Sequence, residues 1–204
     1  MKTAFLSCAA VLVLGAAPVL AQNAYQPRDM MKGAQAEVGA GVEAYTGSLA
    51  PVVQPGPSWA ARLGFKPTKI LGLELNYTGA TNNLDSSAST RPLELSTGPD
   101  LVRNGGQAVA TVGLTETVVQ PYLLAGVGVS RYTVRGEPRP DFVSDTTGNI
   151  PLGAGVRAHF GLITADARFG YNVLFDQGFA TNIVHPNSFS SGRYDGTLNI
   201  GAVF

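Results

Sequence analysis

The sequence predicts an all-β chain, an eight-stranded antiparallel up-and-down β-barrel of the transmembrane kind. Three observations carry that expectation. Eight segments alternate apolar and polar residues, the period of a strand with two unlike faces. The connections between them run long, short, long, short along the chain. Glycine and proline, at 25 and 13 of 204 residues, are too frequent for a mainly helical protein.

The elements follow in order. Lys2, an apolar run from Phe5 to Leu14 and the small residue Ala21 after Pro18 have the layout of an export signal cleaved before Gln22. Residues 1–21 are therefore expected to be removed. Cys8, the only cysteine, lies inside that segment and ahead of most of its apolar run, a poor place for a lipid anchor. The mature chain then has no thiol and no disulfide. Residues 22–34 read as a loose lead-in, and residues 35–204 as the barrel.

Strands are predicted near 36–46, 58–66, 69–79, 106–115, 118–133, 149–160, 163–174 and 192–204. In the first, Val38, Ala40, Val42 and Ala44 oppose Glu37, Gly39, Gly41 and Glu43. In the second, Trp59, Ala61, Leu63 and Phe65 oppose Arg62, Gly64 and Lys66. In the third, Leu71, Leu73, Leu75 and Tyr77 oppose Gly72, Glu74 and Asn76. In the fifth, Leu123, Ala125, Val127 and Val129 form the apolar face, while Tyr122 and Tyr132 fall on the other parity. A bulge would reconcile them. In the seventh, Ala165, Ala167, Phe169, Tyr171 and Val173 oppose Asp166, Arg168, Gly170 and Asn172. In the last, Tyr194, Gly196, Leu198, Ile200, Ala202 and Phe204 oppose Arg193, Asp195, Thr197, Asn199, Gly201 and Val203. Tight turns fall at Lys66–Lys69, around Glu116 and around Gly161. Long polar connections fall at Gly47–Pro57, Ala80–Gly105, Val134–Gly148 and Asp176–Ser191. Short periplasmic turns and four long extracellular loops are the asymmetry of outer-membrane barrels.

Alternation alone does not say which face looks inward, and a soluble ligand-binding barrel would invert it. The membrane version is favoured by the aromatics. Phe65, Phe160 and Phe204 gather at the short-turn end; Trp59, Tyr77, Tyr171 and Tyr194 lie toward the long-loop end. Two such girdles suit the two interfaces of a bilayer. Charged residues are only 14%, against about 25% in soluble domains. No apolar run of about 18 residues follows the export signal, so a transmembrane helix is not expected. Formal net charge is zero without a polybasic run, so nothing advertises nucleic acid.

The last strand, Tyr194 to Phe204, resembles the C-terminal assembly signature of bacterial outer-membrane barrels. Pro121 to Val129 is similar to a central hairpin strand of OmpA/OmpX-like barrel domains. The resemblance implies an outer-membrane location and a barrel set among lipid and lipopolysaccharide. It also implies delivery by the barrel-assembly machinery, which reads Leu198, Ile200 and Phe204. No peptidoglycan-binding domain of the OmpA type is read after the barrel. That removes the cell-wall-anchoring role of full-length OmpA-like proteins. The expected role is non-enzymatic, structural or through an extracellular partner held by the long loops.

The charges of the polar faces are the candidate functional residues: Glu37, Glu43, Arg62, Lys66, Glu74, Arg157, His159, Asp166, Arg168, Arg193 and Asp195. Arg62 and Glu74 are expected to lie roughly opposite each other, Arg157 and His159 near Asp166 and Arg168, and Glu43 near Arg193 or Asp195. Buried charges must pair. The plain reading is a lumen filled by ion pairs; the sharper one is a narrow ion path through rearranging pairs. Eight strands leave only enough width for side chains, which argues against a broad porin. His185 and Ser188 raise a lipid-A-modifying enzyme as an alternative, but Pro186 and their spacing depart from the deacylase arrangement. Asp141 and Asp145 are scattered loop acids rather than a metal site. No cofactor motif is present.

Overall fold

A computed structural model describes residues 31–84, 100–135, 145–175 and 192–204. It contains β1 (Gly33–Tyr45), β2 (Gly56–Lys66), β3 (Leu71–Asn83), β4 (Asp100–Gly113), β5 (Val119–Arg135), β6 (Asp145–Phe160), β7 (Ile163–Phe175) and β8 (Gly192–Val203). Each strand pairs antiparallel with the next, and β8 pairs with β1 to close the barrel. Closure leaves no open edge, which a bilayer would not tolerate.

The register fixes the shape. From Thr146 on β6, one hydrogen-bonded row passes through Arg131, Asn104, Gly79, Trp59, Ala40, Leu198 and Ala167. It returns to β6 at Val156, ten residues from where it began. For eight strands that stagger sets a tilt of ~40° and a backbone radius of ~8 Å. Such a cylinder has room for side chains and little else.

All eight predicted strands are present, and several run further than the alternation suggested. β3 continues to Asn83, β4 begins at Asp100, β5 ends at Arg135 and β6 begins at Asp145. Parts of 80–105 and 134–148 had read as loop. There the ladder persists while the outward face carries Thr81, Asn83, Asn104 and Thr146. Beyond the hydrocarbon a strand no longer needs an apolar face, so the sequence signal fades before the pairing does. β1 likewise starts at Gly33, inside the expected lead-in. The bulge expected in β5 is absent: its pairing with β4 runs unbroken from Asp100↔Arg135 to Gly113↔Tyr122. Tyr122 and Tyr132 simply point inward.

The outward face is apolar. Leu63, Leu75, Val127 and Leu198 are all more than half exposed. The inward face buries Glu37, Arg62, Glu74, Arg103, Arg157 and Asp166. This inverts a soluble protein. Aromatic rings also cover outward glycines. A Cβ on Gly79 would collide with the Trp59 indole, and one on Gly148 with the Phe175 ring. Gly79→Val is therefore expected to push Trp59 aside into lipid. The wavelength of tryptophan emission should change, while stability moves by less than about 1 kcal/mol. Unchanged emission would mean that the ring does not rest on Gly79.

Candidate functional site: the filled lumen

Inward side chains form successive layers between the short-turn end and the long-connection end. At the short-turn end Lys66 Nζ donates to Gln120 Oε1 (2.6 Å). The Gln120 amide donates to the carbonyls of Lys69 (2.9 Å) and Thr115. Buried His159 lies in this layer, opposite Thr164 on β7, and neither ring nitrogen has a hydrogen-bond partner among the described residues.

Above it sits an ion cluster. Arg157 reaches Glu37 (Nε–Oε1, 3.1 Å), Glu74 (Nη2–Oε1, 3.0 Å) and Asp166 (Nη2–Oδ2, 3.3 Å). Arg168 Nη2 donates to Glu74 Oε2 (2.8 Å). Tyr122 ties the cluster together. Its hydroxyl donates to Asp166 Oδ2 (2.7 Å) and accepts from Arg168 Nε (2.8 Å). Both guanidinium groups lie over its ring, 5.1 and 5.3 Å from the centroid, an arrangement that stabilises cations away from water. Asn199 Nδ2 donates to Asp166 Oδ1 (2.9 Å).

Arg62 stands at the top of this cluster. Its Nη2 donates to Thr197 Oγ1 (2.9 Å), and its Nη1 is 3.9 Å from Asp166. It also borders a polar cavity of about 30 Å³ with Ser58, Asn76, Asn172 and Asp195, a volume suited to about two waters. Asn172 Nδ2 donates to Asp195 Oδ1 (3.0 Å), and Gln107 Nε2 donates to Asn172 Oδ1 (2.8 Å).

A second cluster lies beyond the cavity. Glu43 Oε2 is 2.6 Å from Arg103 Nη2 and 3.3 Å from Arg193 Nε, and Tyr45 Oη donates to Glu43 Oε1 (3.0 Å). Over it sits a dry plug of Tyr45, Leu49, Val53, Leu84, Leu101, Tyr132 and Leu174. The 3₁₀ turn Gly47–Leu49 and a bridge between Val53 and Leu84 hold three of these residues in the mouth.

The predicted charges thus converge, but several partners differ from expectation. Arg62 is opposite Asn76, and Glu74 is opposite Gly64. Glu74 instead spans the lumen to Arg157 and Arg168. Inside a narrow cylinder, long side chains meet across the axis more readily than along the wall. Asp195 is opposite Glu43 in register, while the ion pairs of Glu43 are made by Arg193, as expected, and by Arg103. Sequence reasoning missed Arg103, Tyr122 and Tyr132 as lumen groups, and Leu49 and Val53 as a plug. Extending the inward parity of β4 four residues back from Gln107 would have found Arg103.

On the outside, Trp59, Phe65, Tyr77, Phe160, Tyr171 and Tyr194 all point away from the lumen and are exposed. Phe204 is partly exposed, and its amide donates to Ala34 O (2.8 Å). Tyr77 Oη donates to Asn104 Oδ1 (3.0 Å). Leu198 and Ile200 share the outward face. His185, Ser188 and Asp141 lie outside the described residues; Asp145 opens β6 and belongs to no metal-binding group among the described residues.

A family model described as the outer membrane protein beta-barrel domain matches residues 8–201. The chain belongs to that family. It is a bacterial outer-membrane protein. Among solved structures, it is similar to Neisserial surface protein A, with a TM-score of 0.57 at 21% identity, covering 84% of this chain and 97% of that one. The N-terminal β-barrel domain of Pseudomonas aeruginosa OprF gives 0.54 at 15%, covering 85% and 99%. The outer-membrane protein OprG of the same organism gives 0.54 at 10%, covering 85% and 97%. A search of curated proteins returned no match. At these identities the likeness is one of fold.

Proposed function

We propose that this outer-membrane barrel is a non-enzymatic closed scaffold that steadies the membrane and presents its long extracellular connections to partners. One observation carries the reading: the lumen is blocked twice, by a cross-linked ion cluster and by an apolar plug. Below the plug five arginines and Lys66 face five carboxylates (Arg62, Arg103, Arg157, Arg168, Arg193 against Glu37, Glu43, Glu74, Asp166, Asp195); the arginine–carboxylate pairs and the bond from Lys66 to Gln120 hold these charges without a stream of water. A rigid wall with variable connections is where binding usually resides. In this reading Trp59, Phe65, Tyr77, Phe160, Tyr171, Tyr194 and Phe204 anchor the two interfaces. Leu198, Ile200 and Phe204 serve as the assembly signal.

The test is conductance. Purified protein in planar bilayers is expected to give no resolved current steps, and stable steps from the wild type would overturn the closed scaffold. A second reading, a narrow gated path, is favoured by Arg62. It borders the cavity with Asp195 while holding Asp166 only at 3.9 Å. Under that reading current steps appear and Arg62→Ala alters their size.

A further inference from the structure

The outer wall of the barrel carries a feature that the closed lumen does not use. On the outward face of β5 the apolar series Leu123, Ala125, Val127, Val129 ends at Arg131, an exposed cation. Its cross-strand neighbours are both neutral, Asn104 on β4 and Thr146 on β6. No ion pair engages it among the described residues. Arg135, further out on the same face, stands opposite Asp100. The tilt and stagger of the strands place Arg131 ~5–10 Å beyond the ring of Trp59, Tyr77, Tyr171 and Tyr194. That is the headgroup level of the outer leaflet.

Below Arg131 the wall is hollow. β4 presents Gly106, Ala108 and Ala110 between larger neighbours, Leu75 and Tyr77 on β3 and Val127 and Val129 on β5. A Cβ on Gly106 would meet no atom within 4 Å. Gly106, Ala108, Leu75, Tyr77, Val127 and Val129 line the upper part of an open apolar depression of about 950 Å³ on the lipid side, which continues across β2 and β1 to Phe204. The groove runs down the wall from the cation, as an acyl chain runs from its phosphate.

We propose that Arg131 and the apolar depression below it bind the lipid A part of lipopolysaccharide, with a phosphate on Arg131 and an acyl chain in the depression. Charge complementarity selects this occupant. The outer leaflet that faces Arg131 is the one in which phosphorylated lipid A resides, and the arginine has no acidic neighbour across the ladder. A guanidinium beside a phosphate forms strong charge-assisted hydrogen bonds, and the groove fixes the lipid below it.

The test is native mass spectrometry of the refolded full chain in detergent, titrated with diphosphoryl lipid A and, separately, with phosphatidylglycerol. Unchanged heat-modifiable gel migration certifies that each variant is folded. The wild type is expected to hold one lipid A. Arg131→Gln should weaken it about fivefold, Arg131→Lys should keep most of it, and Arg135→Gln should leave it unchanged. Ala108→Leu, which fills the groove without touching charge, should also weaken it. Wild-type affinity in Arg131→Gln overturns the site. Equal retention of phosphatidylglycerol overturns lipid A as its occupant, and unaltered binding by Ala108→Leu overturns the acyl groove.

Discussion

Replacing Arg157 with alanine is expected to cost about 3–5 kcal/mol of folding stability. The side chain is 2% exposed and joins Glu37, Glu74 and Asp166. Its removal leaves three carboxylates in a narrow interior with Arg168 and Arg62 to answer them. Their mutual repulsion is poorly screened there. Glu37 suffers most, because Arg157 is its one ion-pair partner among the described residues, supplemented by Thr164 Oγ1 at 3.4 Å. Adding Glu37→Gln to Arg157→Ala should therefore recover about 1–2 kcal/mol. Urea unfolding in lipid vesicles measures both, followed by emission from Trp59, the only tryptophan. A loss below about 1 kcal/mol would mean that water enters the lumen and screens the cluster.

Leu198→Arg is expected to cost about 2–4 kcal/mol, the cost of an arginine facing lipid at mid-depth. Leu198 is 72% exposed, and its row partners on either side are Ala40 and Ala167. No neighbour shelters the new charge. Val129→Arg, close below the headgroups, should cost about 1 kcal/mol or less. The same vesicle titration reads the contrast. Equal small losses at both positions would place this face in water, and with it would go the membrane orientation of the barrel.

The architecture was legible because a bilayer imposes a strict rule. Every second residue on a spanning strand must suit lipid, so Leu71–Leu73–Leu75–Tyr77 and Leu198–Ile200–Ala202 announce themselves. The turns at Pro67 and Gly161 were equally plain, and Gly161 adopts φ 63°, a conformation that glycine takes readily. The inner wall has no such rule. Glu74 meets residues 83 and 94 positions away, a pairing set by stagger and radius rather than by any local pattern. Tyr122 was hard to place because an aromatic in a membrane strand suits either face. Inside, its hydroxyl is what joins Asp166 to Arg168. Leu49 and Val53 sat in a stretch that composition marked as loop. Only the fold of that stretch back into the mouth makes them a plug.

The seam between β1 and β8 has a consequence in time. Its paired residues, from Tyr45↔Arg193 to Gln35↔Val203, stand 148 to 168 positions apart in the chain. Nothing near β1 can substitute for β8. Until β8 is delivered, both margins of the growing sheet offer unpaired backbone to any passing strand. A polypeptide of this kind is therefore committed to waiting. It becomes a cylinder only in a late event that joins its two most distant strands.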